Sequence, residues 1–223
     1  MRFPSLVIFD MDGLMFDTEK LASEGWLKSA EHHGFQIDST IIQQFVGMTN
    51  EDILNKMSEI YGEDAPIHDW RSYMRNAKAL LLEEHMYLPS FKKKGLESLL
   101  TYLKSIGVKT AVASSSEMEV INKYLKVTNT SEYIDYRVSG DEVVNGKPNP
   151  EVFLRACEKA AVQPSNALVL EDSPAGLKAA SSAGISSIFV PDTVIETEEL
   201  RGLATDVMSD LTEVERFLRS LTN

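Results

Sequence analysis

Two aspartates stand one residue apart near the start of the chain, in the sequence Asp10-Met11-Asp12-Gly13. A pair of this spacing can divide the work of a reaction, because one carboxylate can attack an electrophile or bind a metal ion while the other moves protons. The same residue types are also common in turns. The pair alone therefore leaves a catalytic site and an ordinary turn open as interpretations.

Three consecutive serines, Ser114 to Ser116, form a second group of candidate residues. Ser116 and Glu119 have the spacing of a capping box, which predicts that a helix begins beside them. Hydroxyl groups and free backbone N–H groups at a helix start suit a bound phosphate, because the helix dipole adds partial positive charge there. The alternative interpretation is that the serines only cap the helix.

Lys147 lies in the sequence Gly146-Lys147-Pro148-Asn149-Pro150, just before another predicted helix. Asn149 can cap this helix and Pro150 can occupy its first position. A lysine held on such a stiff loop could neutralise both an aspartate and a phosphate oxygen, whereas the alternative is a solvated surface lysine. The loop therefore offers one candidate cation for an anionic ligand.

The last group is Glu171-Asp172-Ser173-Pro174, which again places acids beside a predicted helix start. Carboxylate oxygens are hard ligands of the kind that Mg²⁺ prefers. Asp172 or Ser173 could also cap the helix, with Pro174 in its first turn, and this role is compatible with metal binding.

The elements that must position these groups can be read from hydrophobic patterning. Short apolar runs predict strands at residues 6–9, 108–113, 167–170 and 187–190, with a minor strand at 136–139. Helical patterns such as residues 95–106 lie between them, so we predict a parallel sheet buried on both faces in an α/β fold. The candidate groups follow successive strands, whose carboxyl ends share one edge of the sheet. Each candidate group alone is weak evidence for a site, but together they are expected to line one crevice at this edge of the sheet.

Residues 16–87 differ from the rest of the chain because they contain several helical patterns and no convincing strand. Thr49 and Asp52, for instance, have capping-box spacing and predict a helix that runs to Ile60. We therefore expect a sheet domain formed by residues 1–15 and 88–223, with an all-helical cap domain inserted at residues 16–87.

Composition narrows the class of ligand. The 223 residues carry a formal net charge of −12, which argues against binding nucleic acid or an anionic membrane through a basic surface. Cys157 is the single cysteine, and no apolar run approaches the roughly 18 residues of a membrane-spanning helix. The opening residues lack the pattern of a secretory signal. We expect a cytoplasmic protein, a monomer or weak homo-oligomer, with a small molecule as its partner.

The candidate groups, in this order, resemble the four motifs of the haloacid dehalogenase superfamily. The similarity is to the branch that contains β-phosphoglucomutase and small sugar-phosphate phosphatases. Residues 10–18 resemble the first motif, Ser114 the second, Lys147 the third and Glu171-Asp172 the fourth. The resemblance implies a Rossmannoid parallel sheet core with a helical cap inserted after the first motif.

The resemblance also implies a role for each residue. Asp10 would attack phosphorus to form an aspartyl-phosphate, while Asp12 would donate a proton to the leaving oxygen and then accept one from water. Mg²⁺ would be bound by Asp10, the backbone carbonyl of Asp12 and Asp172, with Glu171 bound directly or through water. Ser114, the Ser115 backbone and Lys147 would bind the phosphoryl group. From the cap, Gly47 and Asn50 would contact the substrate.

Hydrolysis and isomerisation place different demands on the cap. Where β-phosphoglucomutase has a cap arginine that grips a second phosphate, and a histidine that assists acid–base chemistry, this chain has Asn50 and Ala22. A mutase must hold two phosphates in turn, so loss of the arginine favours hydrolysis. We therefore expect a Mg²⁺-dependent phosphatase acting on a small phosphorylated metabolite such as a sugar phosphate.

Two alternatives remain open at this point. One is a sugar-phosphate mutase in which Lys56, Arg75 or Lys78 replaces the missing cap arginine. The other is a non-catalytic protein that keeps the fold and binds a phosphorylated ligand. No catalytic position of the four motifs is replaced in this chain, which argues against the second alternative.

Overall fold

The computed structural model describes residues 3–46, 48, 50–194 and 196–221. Its sheet has six parallel strands in the order β3-β2-β1-β4-β5-β6. The strands are β1 (Leu6–Phe9), β2 (Lys109–Ala113), β3 (Tyr136–Val138), β4 (Ala167–Glu171), β5 (Ser186–Phe189) and β6 (Asp206–Val207). The predicted α/β class and its five predicted strands are confirmed, each within one residue at either end. The short β6 was not predicted.

The central strand β1 shows why its residues form a buried strand. All four side chains of Leu6–Phe9 are buried, and alternate ones face opposite sides of the sheet. Val7 and Phe9 pack in one apolar cluster, and Leu6 and Ile8 pack in another. The sheet is therefore covered by helices on both faces, as a continuous apolar run in a parallel sheet predicts.

Six helices alternate with the later strands. The first face is covered by α5 (Leu96–Ser105), α6 (Met118–Val127) and α10 (Leu211–Ser220), and the second by α7 (Glu151–Ala160) and α8 (Pro174–Ser182). The remaining helix, α9 (Glu198–Leu203), packs beside α8. Within the described ranges, no helix has both the length and the apolar character needed to cross a membrane.

The predicted helix starts are correct in part. Ser173 caps α8 by accepting a hydrogen bond from the Gly176 N–H, with Pro174 in the first turn as predicted. At α7 the prediction is one residue early, because Pro150 precedes the helix rather than opening it. Asn149 still accepts a hydrogen bond from the backbone N–H of Glu151, at 3.0 Å.

The capping box predicted for Ser116 and Glu119 is wrong. Helix α6 begins at Met118, its preceding residue Glu117 makes no side-chain cap bond, and the Ser116 hydroxyl donates to Asp12 instead. A serine before a helix can cap the helix or bind another side chain, and here the contact with Asp12, which follows β1, takes precedence over capping.

Between β1 and α5, the described part of the chain forms four helices: α1 (Thr18–His33), α2 (Ser39–Phe45), α3 (Asn50–Tyr61) and α4 (Ile67–His85). They have an apolar cluster of their own, which includes Trp26, Phe45 and Trp70. The Ser29 hydroxyl on α1 donates to the Trp70 carbonyl on α4 at 2.8 Å. Helix α3 matches the predicted one closely, although Thr49 of the proposed capping box lies outside the described residues.

The chain passes between the sheet and these four helices at two adjacent points. We call residues 15–17 the first linker and residues 91–93 the second linker. The Asp17 N–H donates to the Phe91 carbonyl and the Lys93 N–H donates to the Met15 carbonyl, both at 2.9 Å. The rings of Phe16 and Phe91 stack with centroids 5.2 Å apart. The two linkers are therefore fastened to each other by main-chain and aromatic contacts.

Candidate active site

Three buried carboxylates meet at the carboxyl edge of the sheet. Asp10 directly follows β1, Glu171 is the last residue of β4, and Asp172 follows it. Their exposed fractions are only 7%, 0% and 2%. Phe9 is in register with Leu170 of the neighbouring strand, so the residues after them come out side by side. One oxygen of each carboxylate lies within 4.8 Å of the others.

Lys147 is inserted among these acids. Its Nζ donates to Asp10 Oδ1 at 2.5 Å and to Glu171 Oε1 at 2.6 Å, and only 6% of its side chain is exposed. The alternative of a solvated surface lysine is therefore excluded. Burial alone would lower the pKa of Lys147, but the charges of Asp10 and Glu171 outweigh burial and raise it, so the side chain is a fixed cation.

One lysine does not balance three carboxylates. Burial raises the pKa of Asp10 to about 8, with Lys147 opposing the rise and the Glu171 charge adding to it. Burial, followed by the charges of Glu171 and Asp10, raises the pKa of Asp172 well above its usual range. The cluster therefore concentrates more negative charge than the protein itself neutralises, and a cation would stabilise its ionised form.

The acidic cluster fits a divalent cation bound through oxygen. Asp172 Oδ1 is buried and has no hydrogen-bond partner within the described part of the chain. Glu171 is held in place by Ser173, whose backbone N–H and hydroxyl donate to Glu171 Oε2 at 2.8 and 3.0 Å. Hard oxygen donors with one unpartnered atom and supporting hydrogen bonds are what Mg²⁺ or a similar ion requires.

Two glycines permit the close approach of these acids. Gly13 has a φ of +84°, and a Cβ at this position would lie 2.1 Å from Asp172 Oδ2. A Cβ at Gly176 would lie only 1.7 Å from Glu171 Oε1. Both distances are far below van der Waals contact, so a side chain at either position would displace a carboxylate of the cluster.

Asp12 lies beside the serines at the end of β2. The Ser116 hydroxyl donates to Asp12 Oδ2 at 2.8 Å, and Ser114 Oγ is 3.5 Å from the same oxygen. The Ser114 hydroxyl oxygen also accepts from the backbone N–H of Ser116, at 3.0 Å. The serines thus hold the half-buried Asp12 carboxylate in one orientation, and Ser116 is a site residue that sequence reasoning assigned to capping.

A cavity of about 570 Å³ opens above these groups. The sheet side of its wall includes Asp10, Asp12, Ser114, Ser115, Lys147 and Asp172. The helical side includes Ala22 and Trp26 of α1 and three basic residues of α4, which are Arg71, Arg75 and Lys78. Glu171 supports the cavity from beneath rather than lining it. The predicted site residues from four strand ends are therefore brought together.

The predicted cap residues fit this cavity less well. Gly47 lies outside the described residues. Asn50 is exposed and is not part of the cavity wall, although its Oδ1 accepts from Arg71 Nε at 3.2 Å. Lys56 pairs with Glu59 at 2.8 Å away from the cavity, so of the three replacements considered for the missing arginine only Arg75 and Lys78 line it.

Glu19 and Arg71 line the cavity but were not predicted. Burial raises the pKa of Glu19, with Lys78 opposing the rise and Asp12 adding to it. Burial lowers the pKa of Arg71 to about 10, helped by the neighbouring charge of Arg75. Glu19 and Arg71 lie on the polar faces of α1 and α4. A polar helix face ordinarily meets solvent, so the sequence did not indicate that these two residues face a cavity.

Fold and site together define an α/β enzyme, with an acidic cluster at the carboxyl edge of a parallel sheet and a helical layer above it. The sequence profile described as "Haloacid dehalogenase-like hydrolase" matches residues 7–190. The chain belongs to this family. The expected resemblance is thereby confirmed.

Individual relatives agree with this assignment. The "Phosphorylated carbohydrates phosphatase" of Thermotoga maritima is 31% identical over 82% of this chain and 83% of its own. The "Probable pseudouridine-5'-phosphatase" of Drosophila melanogaster is 34% identical over 92% of this chain and 89% of its own. A solved structure of β-phosphoglucomutase from Clostridium difficile is 25% identical, has a TM-score of 0.76 and covers 99% of this chain and 97% of its own.

Proposed function

We propose that the protein is a phosphatase that hydrolyses a small phosphorylated metabolite, such as a sugar phosphate, with Asp10 as its nucleophile. The observation that carries this proposal is the contact of Lys147 with both Asp10 and Glu171, at 2.5 and 2.6 Å, beneath a cavity that also exposes Asp12 and Ser115. Membership of a hydrolase family and the names of two relatives as phosphatases support it.

The proposed reaction has two displacements. Asp10 attacks phosphorus, the bond from phosphorus to the leaving oxygen breaks, and Asp12 gives that oxygen a proton. Asp12 then takes a proton from a water molecule that attacks the aspartyl-phosphate, which releases inorganic phosphate and restores Asp10. Ser114, the Ser115 backbone and Lys147 bind the phosphoryl oxygens throughout, because their donors lie beside the two aspartates.

Asp10, Glu171, Asp172 and the backbone carbonyl of Asp12 would hold Mg²⁺. The unpartnered, buried Asp172 Oδ1 supports this assignment. Bound there, the ion would supply positive charge that lets an anionic nucleophile approach an anionic phosphate. The protein's own contribution is to orient these oxygens, which Ser173 does for Glu171 through two hydrogen bonds.

We further propose that residues 16–87 act as a cap over a core formed by residues 1–15 and 88–223. The cavity wall draws on both parts of the chain, which supports a cap that excludes bulk water from the aspartyl-phosphate. A sugar-phosphate mutase is the second candidate, favoured by the likeness to a solved β-phosphoglucomutase. Asn50 in place of the cap arginine argues for hydrolysis.

The test is turnover of a panel of sugar and nucleoside monophosphates with Mg²⁺, with inorganic phosphate and sugar-phosphate isomers measured in the same samples. We expect phosphate release from the natural protein and a loss of at least roughly 1,000-fold in the Asp10→Asn variant. Isomer formation without phosphate release would assign a mutase instead. Absence of any turnover would indicate a binding protein and overturn the proposal.

A further inference from the structure

Lys147 reaches the acidic cluster from an exposed loop. We call residues 143–150, which lead into α7, the lysine loop. Val144 is 91% exposed, and Asn145 and Gly146 are exposed as well. Buried apolar contacts therefore do not hold this part of the loop, and exposed loops of this kind are usually mobile. Another interaction must fix the backbone that carries Lys147.

Glu151, the first residue of α7, binds the backbone of the lysine loop. Its Oε1 accepts a hydrogen bond from the Val144 N–H at 2.8 Å, and its Oε2 accepts one from the Asn145 N–H at 2.9 Å. The side-chain amide of Asn145 also donates to Oε2, at 3.2 Å. Both oxygens of one carboxylate are thus bound to the stretch of loop that directly precedes Lys147.

Glu151 is suited to this contact as an ionised carboxylate. The hydrogen bonds from the Val144 and Asn145 backbones lower the pKa of Glu151, so it carries a negative charge at neutral pH. A carboxylate has only acceptor sites, and both of its oxygens can receive N–H groups. A glutamine has the same length but replaces one of these oxygens with an NH₂ group, which cannot accept a hydrogen bond from a backbone N–H.

The first turn of α7 also holds the loop on the other side of Lys147. The Asn149 N–H donates to the Gly146 carbonyl at 3.0 Å, which closes a turn around the lysine. The Asn149 side chain in turn accepts from the Glu151 N–H at 3.0 Å. Phe153 of the same helix is fully buried, and the centre of its ring lies 4.8 Å from Lys147 Nζ. The lysine loop is therefore tied to α7 both before and after the lysine.

We propose that Glu151 is a positioning residue, which keeps Lys147 in contact with Asp10 and the transferred phosphoryl by holding the lysine loop against α7. Glu151 is not part of the cavity wall, so it acts through the loop rather than by touching the substrate. The inference rests on the proposed phosphatase function, in which Lys147 binds the phosphoryl oxygens. A displacement of about 1 Å at such a group can lower a rate by roughly 100-fold.

Steady-state kinetics of the Glu151→Gln variant test the proposal, with p-nitrophenyl phosphate as the probe and Mg²⁺ present. We expect kcat to fall at least about 10-fold while KM stays within about 2-fold of the natural protein. The reason is that a displaced Lys147 stabilises the charge of the transition state less, whereas Ser114 and the Ser115 backbone still bind the phosphate of the substrate.

Glu119→Gln is the matched control for the loss of a negative charge near a helix start. Glu119 is an exposed acid in the first turn of α6, and its side chain makes no hydrogen bond within the described ranges. An acid at this position favours a helix through its dipole, as Glu151 also does for α7. The kcat and KM of Glu119→Gln should equal those of the natural protein.

A second measurement follows Lys147 itself and needs no turnover. Acetic anhydride acetylates amino groups that are accessible and unprotonated, and mass spectrometry gives the rate at each lysine. Lys147 should react slowly in the natural protein, because only 6% of its side chain is exposed. In Glu151→Gln we expect its rate, relative to that of the 78% exposed Lys94, to rise at least about 3-fold. In Glu119→Gln this ratio should not change.

An unchanged kcat in Glu151→Gln would overturn the inference, as would a lower kcat without faster acetylation of Lys147. Equal effects in Glu119→Gln would also overturn it, because they would trace the loss to the helix dipole. If the natural protein releases no phosphate from p-nitrophenyl phosphate or from the metabolite panel, the proposed function fails. The acetylation rate then decides alone whether Glu151 positions Lys147.

Discussion

The amino group of Lys147 joins residues from three separate parts of the chain. It lies on the loop before α7, yet its two acceptors come from β1 and β4. A buried ion pair contributes little net stability when complete, because desolvation offsets the attraction between the charges. When one member of the pair is removed, the charges that stay buried lose their counter-charge and destabilise the fold.

Replacement of Lys147 by glutamine should therefore destabilise the metal-free protein by roughly 3–5 kcal/mol, since Asp10 and Glu171 lose their cation. Urea unfolding in the presence of EDTA measures the free energy of unfolding. Lys104→Gln is the control, because Lys104 and Glu132 are 50% and 69% exposed and such a pair contributes about 1 kcal/mol or less. Equal losses in the two variants would contradict the role assigned to Lys147.

Individual site residues could be predicted from the sequence wherever a reactive residue followed a predicted strand. Asp10, Asp12, Lys147 and Asp172 could be proposed as site residues because the ends of parallel strands converge. Arg71 and Glu19 could not, since their place in the cavity depends on how α1 and α4 sit above the sheet. Ser116 was assigned to the wrong partner, because a hydroxyl near a helix start can either accept from a helix N–H or donate to a carboxylate from elsewhere in the chain.

Helix α8 illustrates how a structural element sets the position of a side chain. Glu171 ends β4, turns back over the start of α8 and accepts two hydrogen bonds from Ser173. Its carboxylate occupies the space where residue 176 would otherwise carry a side chain. The glycine in the first turn of α8 is therefore required by packing rather than by backbone conformation.

The Gly176→Ala variant should displace Glu171 and weaken its contact with Lys147, because the new Cβ would lie 1.7 Å from Oε1. We expect a loss of about 1–3 kcal/mol in stability, together with a reduced rate of phosphate release. Gly202→Ala in α9 is the matched control, since a Cβ there meets nothing within 4 Å and alanine favours a helix by up to about 1 kcal/mol. A harmless Gly176→Ala would show that Glu171 can be moved freely.

Hydrophobic patterning predicted the strands β1, β2, β4 and β5 because each contains a buried run of at least three residues. Strand β3, predicted as a minor strand, has Val138 as its one buried residue. Patterning failed for β6, whose two residues include the exposed Asp206 and form no pattern. The start of α7 was misplaced by one residue, since Pro150 is equally compatible with the first helical position and the one before it. Such choices depend on tertiary contacts rather than on local preference.

For the molecule as a whole, Lys93 connects the parts that would have to move together. Its Nζ lies 2.5 Å from Asp192 Oδ1, in the loop after β5, and 4.0 Å from Asp17 Oδ1 at the end of the first linker. Lys93 itself belongs to the second linker. One side chain thus ties both linkers to the sheet beside the cavity.

Loss of the Lys93 contacts with Asp17 and Asp192 should alter the position of helices α1 to α4 over the sheet. It should have less effect on the stability of these helices or of the sheet. We expect Lys93→Gln to change kcat and KM together by about 3-fold or more, as changes at a hinge do, with little change in the thermal midpoint. Lys94→Gln is the neighbouring control, because the Lys94 side chain pairs with Asp210, the residue before α10, and not with Asp17 or Asp192. Identical kinetics for the two variants would argue against a hinge role for Lys93.

The pairing of the two linkers also bears on how such a protein can be assembled from parts. The main-chain hydrogen bonds between Asp17 and Phe91, and between Lys93 and Met15, hold the two ends of the segment that contains α1 to α4 next to each other. A short turn could therefore join residues 17 and 91 without disturbing any strand of the sheet. The segment that contains α1 to α4 is therefore an insertion into the sheet domain, and a different insertion of any length could begin and end at residues 17 and 91.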